Sequence, residues 1–365
     1  MAKTREELEK KLAVLEQKVI GGDAKTTAKL HEQGNLNARE RIDKLLDPGT
    51  FVEEFMLAET PSVDFGMAER KRPSDGVVNY QGNRLQQVTF RRQLAFLKEN
   101  CALVTLRQVA ASLSGGPPLP DYAVALTIDD GYESVYTLGF PALREAKVPA
   151  TLFVATQFVD ERVPLWPDRL EYAFAGAPGD ASTRRERLRS LQRRAKDLLP
   201  AEREAFIAPV EAELGRKLIL DASAPENYRP LTWAQTKEMA DSGLMEIGSH
   251  THTHTIAALL GDLDGRHEFA QSKTLVEKNV GRPCDLFCYP NGDYDDFNAA
   301  TTRLLKEAGY LCGLTTVAGF VNPGSDPFTM LRFGTDDRDS FEKFQMTFGL
   351  GRNLLQGVRR SLGKA

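Results

Sequence analysis

A chain of 365 residues with 41% hydrophobic content is long enough to bury a sizeable core, as one large domain or two medium ones. Its formal net charge of -4 and pI near 5.9 argue against a nucleic-acid partner, which would call for a basic face. The N-terminal stretch is charged throughout and lacks the apolar core of a secretory signal, and no run of eighteen apolar residues occurs. No membrane span is therefore expected, and the chain reads as cytoplasmic.

In chain order, Leu8, Leu12, Leu15 and Val19 recur at helical spacing among Glu and Lys, which predicts an amphipathic helix over 3–20. A second helix is expected at about 24–46, ending at "DPGTF", before the strand-like "FVEEFML". The polar stretch 62–76 reads as a linker, with a boundary near Gly76. Beyond it strands alternate with helices: "GVVNY" strand, "TFRRQLAFLKEN" helix, "YAVALTI" strand, "GFPALREA" helix and "ATLFVAT" strand. Then come "LMEIGS" and "DLFCYP" as strands, "TTRLLKEAGY" as helix and "LCGLTT" as strand. Such alternation predicts an α/β fold of parallel βαβ units. Residues of about 182–216 are helical and mixed in charge, and read as a solvated excursion on the rim. The four cysteines, Cys101, Cys284, Cys288 and Cys312, form no CxxC pair and read as reduced core thiols.

Three strand ends carry residues suited to chemistry. The apolar "VALTI" delivers Asp129 and Asp130 in "DDG". Adjacent carboxylates repel unless a cation or hydrogen-bond donors offset them, although Asp-Asp-Gly is also an ordinary turn. After "LMEI" comes "GSHTHTH", which holds three of the five histidines of the chain. His250 and His254 face one cation if the segment is a helical turn, with His252 pointing elsewhere; the competing reading is a surface histidine cluster. Two imidazoles, one carboxylate and water make an open ligand set for a catalytic divalent metal such as zinc. After "LFCY", Pro290, Asn291 and Gly292 either turn backbone N–H groups toward a substrate oxygen or form a common turn.

Together these residues resemble the polysaccharide deacetylases, the NodB-like carbohydrate esterases of family 4. The motif of a hydrophobic strand ending in Asp-Asp-Gly is similar to "ALTIDDGY", and the paired-histidine motif to His250 through His254. "FPALREAKVPATLFVATQFVD" and "LWPDRLEYA" resemble flanking segments, and the likeness covers about 84–340. The resemblance implies a distorted (β/α)7 barrel of the NodB-homology type. It makes Asp129 the general base and Asp130, His250 and His254 the ligands of a divalent metal, with zinc expected. The implied activity is hydrolysis of a linear amide C–N bond, removing the N-acetyl group from an N-acetylhexosamine unit of a glycan or glycolipid. The Asn291 N–H would hold the oxyanion. Two positions depart from the family pattern. Cys288 stands where many members place an Arg two residues before the motif-three Pro, and no histidine follows His267 to act as a late general acid. Arg332, in "TMLRFGTDD", resembles an Arg of exopolysaccharide-type members and could orient Asp129. His252 or Asp129 itself would then be the proton donor.

Residues 1–78, above all "GNLNARERIDKLLDPGTFVEEF" and "DFGMAERKRPSDGVV", resemble the N-terminal segment of the carboxyltransferase subunit of biotin-dependent acyl-CoA carboxylases. Nothing after residue 80 continues that likeness. The chain thus reads as a fusion: a small helical-plus-strand segment at 1–76, a deacetylase domain at 77–345 and a tail at 346–365, in a form compatible with an oligomer. At the seam Tyr80 is followed by Gln81, where deacetylases of this type usually carry Tyr-His. The alternatives to an active deacetylase are a deacetylase-like scaffold of weak activity and a binding module derived from the carboxyltransferase.

Overall fold

The computed structural model describes residues 87–335 apart from 176, 178 and 179, together with 341–345, 347 and 348 and, near the N-terminus, 28, 29, 31 and 32. The chain divides into two compact units, Met1–Arg84 and Leu85–Ala365. In the first, Ala28, Lys29, His31 and Glu32 are helical, within the expected 24–46 helix. The helix expected at 3–20, the strands "FVEEFML" and "GVVNY", the 62–76 linker and most of the 346–365 tail lie outside the described residues.

The second unit is built on seven short strands among the described residues, every pair of them parallel. β1 (Ala102–Leu103) pairs with β2 (Ala123–Val124), and β3 (Leu126–Ile128), β4 (Ala150–Val154), β5 (Met245–Ser249), β6 (Leu286–Cys288) and β7 (Cys312–Leu314) follow one another in a five-stranded sheet. The sequence suggests one strand through "YAVALTI". The structure breaks it at Ala125, where the chain leaves β1 as partner and takes up β4. That exchange splits the backbone ladder in two and leaves a partial barrel.

Helices cover the sheet because β4, "ATLFV", is buried along its whole length, and a strand buried on both faces needs cover on both. α1 (Gln87–Asn100) buries Leu94 and Leu97. α2 (Leu106–Leu113) starts at a capping box in which the Thr105 side chain accepts from the Gln108 N–H. α3 (Phe140–Ala146), α4 (Thr156–Asp160) and α5 (Trp166–Phe174) follow, then α6 (Ala181–Lys196) and α7 (Pro200–Leu214), which form the expected excursion. These two helices share a satellite core with α5, made by Trp166, Leu170, Phe174, Ala195, Ile207 and Val210. α8 (Trp233–Asp241), α9 (Asp262–Val280), α10 (Ala299–Glu307) and α11 (Phe341–Gln345) complete the unit. Among the described residues no helix is long and apolar enough to cross a membrane.

Register decides where the chemistry sits. Ile128 pairs with Leu152, Val154 with Ser249, and Cys288 with Leu314, so the strands end nearly level. Asp129 and Asp130, Thr156, His250 and Tyr289 therefore emerge at one edge, the carboxyl edge where parallel α/β sheets keep their sites. Gly248 permits the close packing of β5: a Cβ there would lie 2.6 Å from Phe153 Cδ1 and 2.7 Å from the Leu286 oxygen. Gly248→Ala is expected to lower unfolding stability by about 3 kcal/mol, at the upper end for overpacking, measured by denaturant titration. An unshifted midpoint would contradict this packing.

Candidate metal centre and active site

The first part of the site is a turn at the end of β3. Asp130 and Gly131 are consecutive left-handed residues, with φ of 76° and 100°. The Asp130 carbonyl accepts from the Ala155 N–H at 3.0 Å, and the Gly131 carbonyl accepts from Leu231 at 2.9 Å. A non-glycine residue held in that region stores strain that its surroundings must over-determine, which is common at functional sites.

The second part follows β5, where the His250 N–H donates to the Val154 carbonyl at 2.9 Å. Residues 250–255 do not form the helical turn anticipated for them. Instead Thr251 and His254 adopt φ of 62° and 54°, and these two reversals bring the imidazoles together, with ring centroids 5.0 Å apart. His250 Nε2 lies 3.4 Å and His254 Nε2 3.3 Å from Asp130 Oδ1. The three donor atoms all lie within 4.8 Å of one another, and both histidines are buried. His252 is turned elsewhere: its Nδ1 lies 2.9 Å from Thr156 Oγ1 and its Nε2 3.8 Å from Glu161 Oε1.

The chemistry of this donor set fits a divalent cation. The Cys288 carbonyl, 2.8 Å from His250 Nδ1, can only accept. Nδ1 therefore carries a proton, which leaves Nε2, the atom that faces Asp130, as the one available to a metal. Two imidazole nitrogens and a carboxylate oxygen converging this closely repel unless protons or a cation sit among them. Burial works against the charge of Asp130, yet the hydrogen bonds of His250 and His254 hold its carboxyl well below the usual range. Two nitrogen donors and one oxygen donor suit zinc and its neighbours.

Beside this cluster stands an ion pair. Arg332 Nη1 donates to Asp129 Oδ1 at 2.9 Å and Nη2 to Oδ2 at 2.5 Å, a two-pronged grip. The same guanidinium donates to Thr127 Oγ1 at 3.0 Å and, through Nε, to the Thr315 carbonyl at 2.8 Å. Burial opposes ionisation of Asp129, but the charge and hydrogen bonds of Arg332 outweigh it and set its carboxyl below the ordinary value. Cys288 stands where the family pattern has an arginine. Its sulfur accepts from Arg332 Nη2 at 3.1 Å and donates to Asp129 Oδ2 at 3.8 Å. Burial pushes this thiol up, so it is a neutral neighbour of the pair. Cys288 thus touches both parts of the site, with its carbonyl on His250 and its sulfur on Asp129 and Arg332. From the sequence Cys288 reads as a core thiol in the place of that arginine, with no contact to Asp129 or His250 foreseen.

Asn291 lies at the same strand edge, three residues past Cys288, with φ of 58°. The Gly292 N–H donates to the Pro290 carbonyl at 2.7 Å, and Thr316 holds the turn by donating from Oγ1 to the Asn291 carbonyl and from its N–H to Gly292 O at 2.9 Å. The Pro290 carbonyl therefore faces Gly292, and in a trans peptide the Asn291 N–H points the opposite way. Gly292 sits at φ 70°, and a Cβ there would lie 2.9 Å from the Thr316 nitrogen, so only glycine fits. Asp296 fixes the loop beyond: it accepts from the Asp293 N–H and from Lys196 of α6, both at 2.8 Å, which ties the helical excursion to this turn. The structure thus joins Asp130, His250 and His254 in one cluster and Asp129 and Arg332 in another, with Asn291 on the same edge.

Comparison with known proteins agrees with this architecture. Residues 116–313, more than half of the chain, match the polysaccharide deacetylase family. The chain belongs to that family. Residues 29–90 match the carboxyl transferase domain. Over 110 residues, 29% of the chain, this family member is 44% identical to the poly-beta-1,6-N-acetyl-D-glucosamine N-deacetylase of Escherichia coli K12, of which it spans 16%. Over 66 residues, 18% of the chain, it is 47% identical to the mitochondrial propionyl-CoA carboxylase beta chain of Homo sapiens, of which it spans 12%. The chain therefore spans less than a fifth of the length of either curated relative. In three dimensions it resembles the Streptococcus pyogenes deacetylase PplD, with a TM-score of 0.51 and 19% identity over 72% of this chain and 87% of that one. The shared fold is the NodB-type partial barrel.

Arg332→Met would leave the largely buried Asp129 without its counter-charge. The expected loss of unfolding stability is about 3 kcal/mol, with most of it recovered in the Arg332→Met, Asp129→Asn double variant. A double variant no more stable than the single one in urea titrations would contradict the pairing.

Proposed function

We propose that the chain is a metal-dependent hydrolase that removes the N-acetyl group from N-acetylhexosamine units of a glycan. The observation that carries this reading is the convergence of Asp130, His250 and His254 at the same strand edge as an Arg332-held Asp129. The relative from E. coli, by its name, favours an N-acetylglucosamine polymer as the substrate class. Asp130, His250 and His254 would hold the metal, with zinc proposed from the two-nitrogen, one-oxygen donor set. The chemistry expected from a divalent cation at these ligands is Lewis acidity, which lowers the pKa of water and polarises an acyl oxygen.

The protein groups supply the rest. Asp129, kept ionised and oriented by Arg332, accepts the proton of the water that attacks the acetyl carbon. The Asn291 N–H donates to the developing oxyanion. When the C–N bond breaks, the amine nitrogen takes a proton and acetate leaves. His252 is occupied by Thr156 and Glu161, and no histidine follows His267, so Asp129 returns the proton that it took. For the domain layout we propose the division 1–76, 77–345 and 346–365, the first segment being an appendage of carboxyltransferase descent.

Incubation of the zinc-loaded full-length protein with N-acetylglucosamine oligomers is expected to release acetate, and chelator or Asp130→Ala to abolish that release. Asp129→Asn is expected to lower kcat by about 10²–10⁴-fold, the usual worth of a general base, with the metal still bound. Acetate release indifferent to both chelator and Asp130→Ala would overturn the reading.

A further inference from the structure

The segment between the two histidines that face Asp130 is held from two sides: α4 donates to it from the Thr156 N–H to the Thr251 carbonyl at 3.2 Å and from the Gln157 N–H to the His252 carbonyl at 2.9 Å. α9 holds the N–H side of the same segment. Glu268, on that helix, is 6% exposed. Its Oε2 accepts the consecutive N–H groups of His252 and Thr253 at 2.8 and 2.9 Å, and its Oε1 accepts from Thr253 Oγ1 at 2.7 Å. One turn along the same face, Ser272 Oγ accepts from Ser249 Oγ at 2.7 Å, immediately before His250. The helix thus grips the loop just ahead of its first histidine and again midway between the two.

The energetics favour a purpose for this grip. A buried carboxylate is costly unless its lone pairs are satisfied, and here three donors of the ligand loop satisfy Glu268. Non-glycine residues at positive φ are strained and persist only where their surroundings over-determine them. Two successive N–H groups aimed at one oxygen give that over-determination. Remove the carboxylate and those donors are left buried, and the loop gains by relaxing until water reaches them. Relaxation would separate the Nε2 atoms that now lie 3.4 and 3.3 Å from Asp130.

We propose that Glu268 is a positioning residue that sets metal affinity by holding the backbone between His250 and His254. The proposal rests on the metal-centre reading above. It acts without touching substrate or metal, and it predicts that affinity follows the hydrogen-bonding capacity of residue 268 rather than its charge.

The test titrates metal-free full-length protein with Co2+, followed by its visible absorption, in parallel with circular dichroism to verify folding. The unaltered protein is expected to bind one equivalent and His254→Ala to lose the site. Glu268→Ala is expected to bind about 10–100-fold more weakly, the usual effect of removing an outer partner of a metal ligand. Glu268→Gln stays near the unaltered protein, because its amide oxygen accepts the same two N–H bonds. Should Glu268→Ala fail to fold, Glu268→Asp, which withdraws the carboxylate by one methylene, must show the weakened binding. Unchanged affinity in folded Glu268→Ala or Glu268→Asp, while His254→Ala loses the metal, overturns the role of Glu268 alone. Failure of the unaltered protein to bind Co2+ overturns the metal reading together with it.

Discussion

Two adjacent carboxylates at the end of one strand are the constraint on which the site depends. Asp129 and Asp130 cannot both stay ionised in a largely dry strand edge unless each has its own positive partner, because a shared one would leave their repulsion standing. The left-handed Asp130 separates them. Asp129 meets a guanidinium delivered from beyond β7, and Asp130 meets two imidazoles delivered from beyond β5. Cys288 at the end of β6 stands between the two arrangements and touches both.

The parallel sheet makes this division workable. Because Ile128, Val154, Ser249 and Leu314 end their strands nearly level, residues distant in sequence arrive at one edge with backbone positions already fixed by ladder bonds. What the ladder leaves open is the loop geometry beyond it, and there polar groups set the shape. Glu268 and Ser272 serve the histidine loop, Thr316 and Gly292 the Pro-Asn-Gly turn, and Asp296 with Lys196 the segment beyond it. Rigidity of this kind holds ligating atoms in place before anything binds.

Much of this was legible in the sequence, and the exceptions have physical causes. The alternating strands and helices, the two aspartates and the paired histidines are encoded in short local patterns, so both the α/β class and the convergence of Asp130, His250 and His254 could be anticipated. Asp129 with Arg332 could be paired only through family resemblance, since about two hundred residues separate them. α9 escaped the reading because its buried face, Gly265, Glu268, Phe269, Ser272, Val276 and Val280, has helical spacing but is half glycine, glutamate and serine. Those polar residues are the ones that hold the ligand loop, so the function of the helix masked its periodicity. The split of "YAVALTI" at Ala125 was hidden because both halves are equally apolar and the change is one of partner. Left-handed Thr251 and His254 were hidden because positive φ is uncommon for any non-glycine residue and an outlier for a β-branched threonine.

The site calls for a cation among Asp130, His250 and His254, with Cys288 serving only as their neighbour. X-ray absorption spectroscopy of the zinc-loaded protein addresses it directly, because zinc–sulfur and zinc–nitrogen or oxygen distances differ clearly. The account predicts a first shell of nitrogen and oxygen alone at about 2.0–2.2 Å with the scattering signature of two imidazoles. A sulfur shell at about 2.3 Å, which would make Cys288 a ligand, or a shell without imidazole, would contradict it.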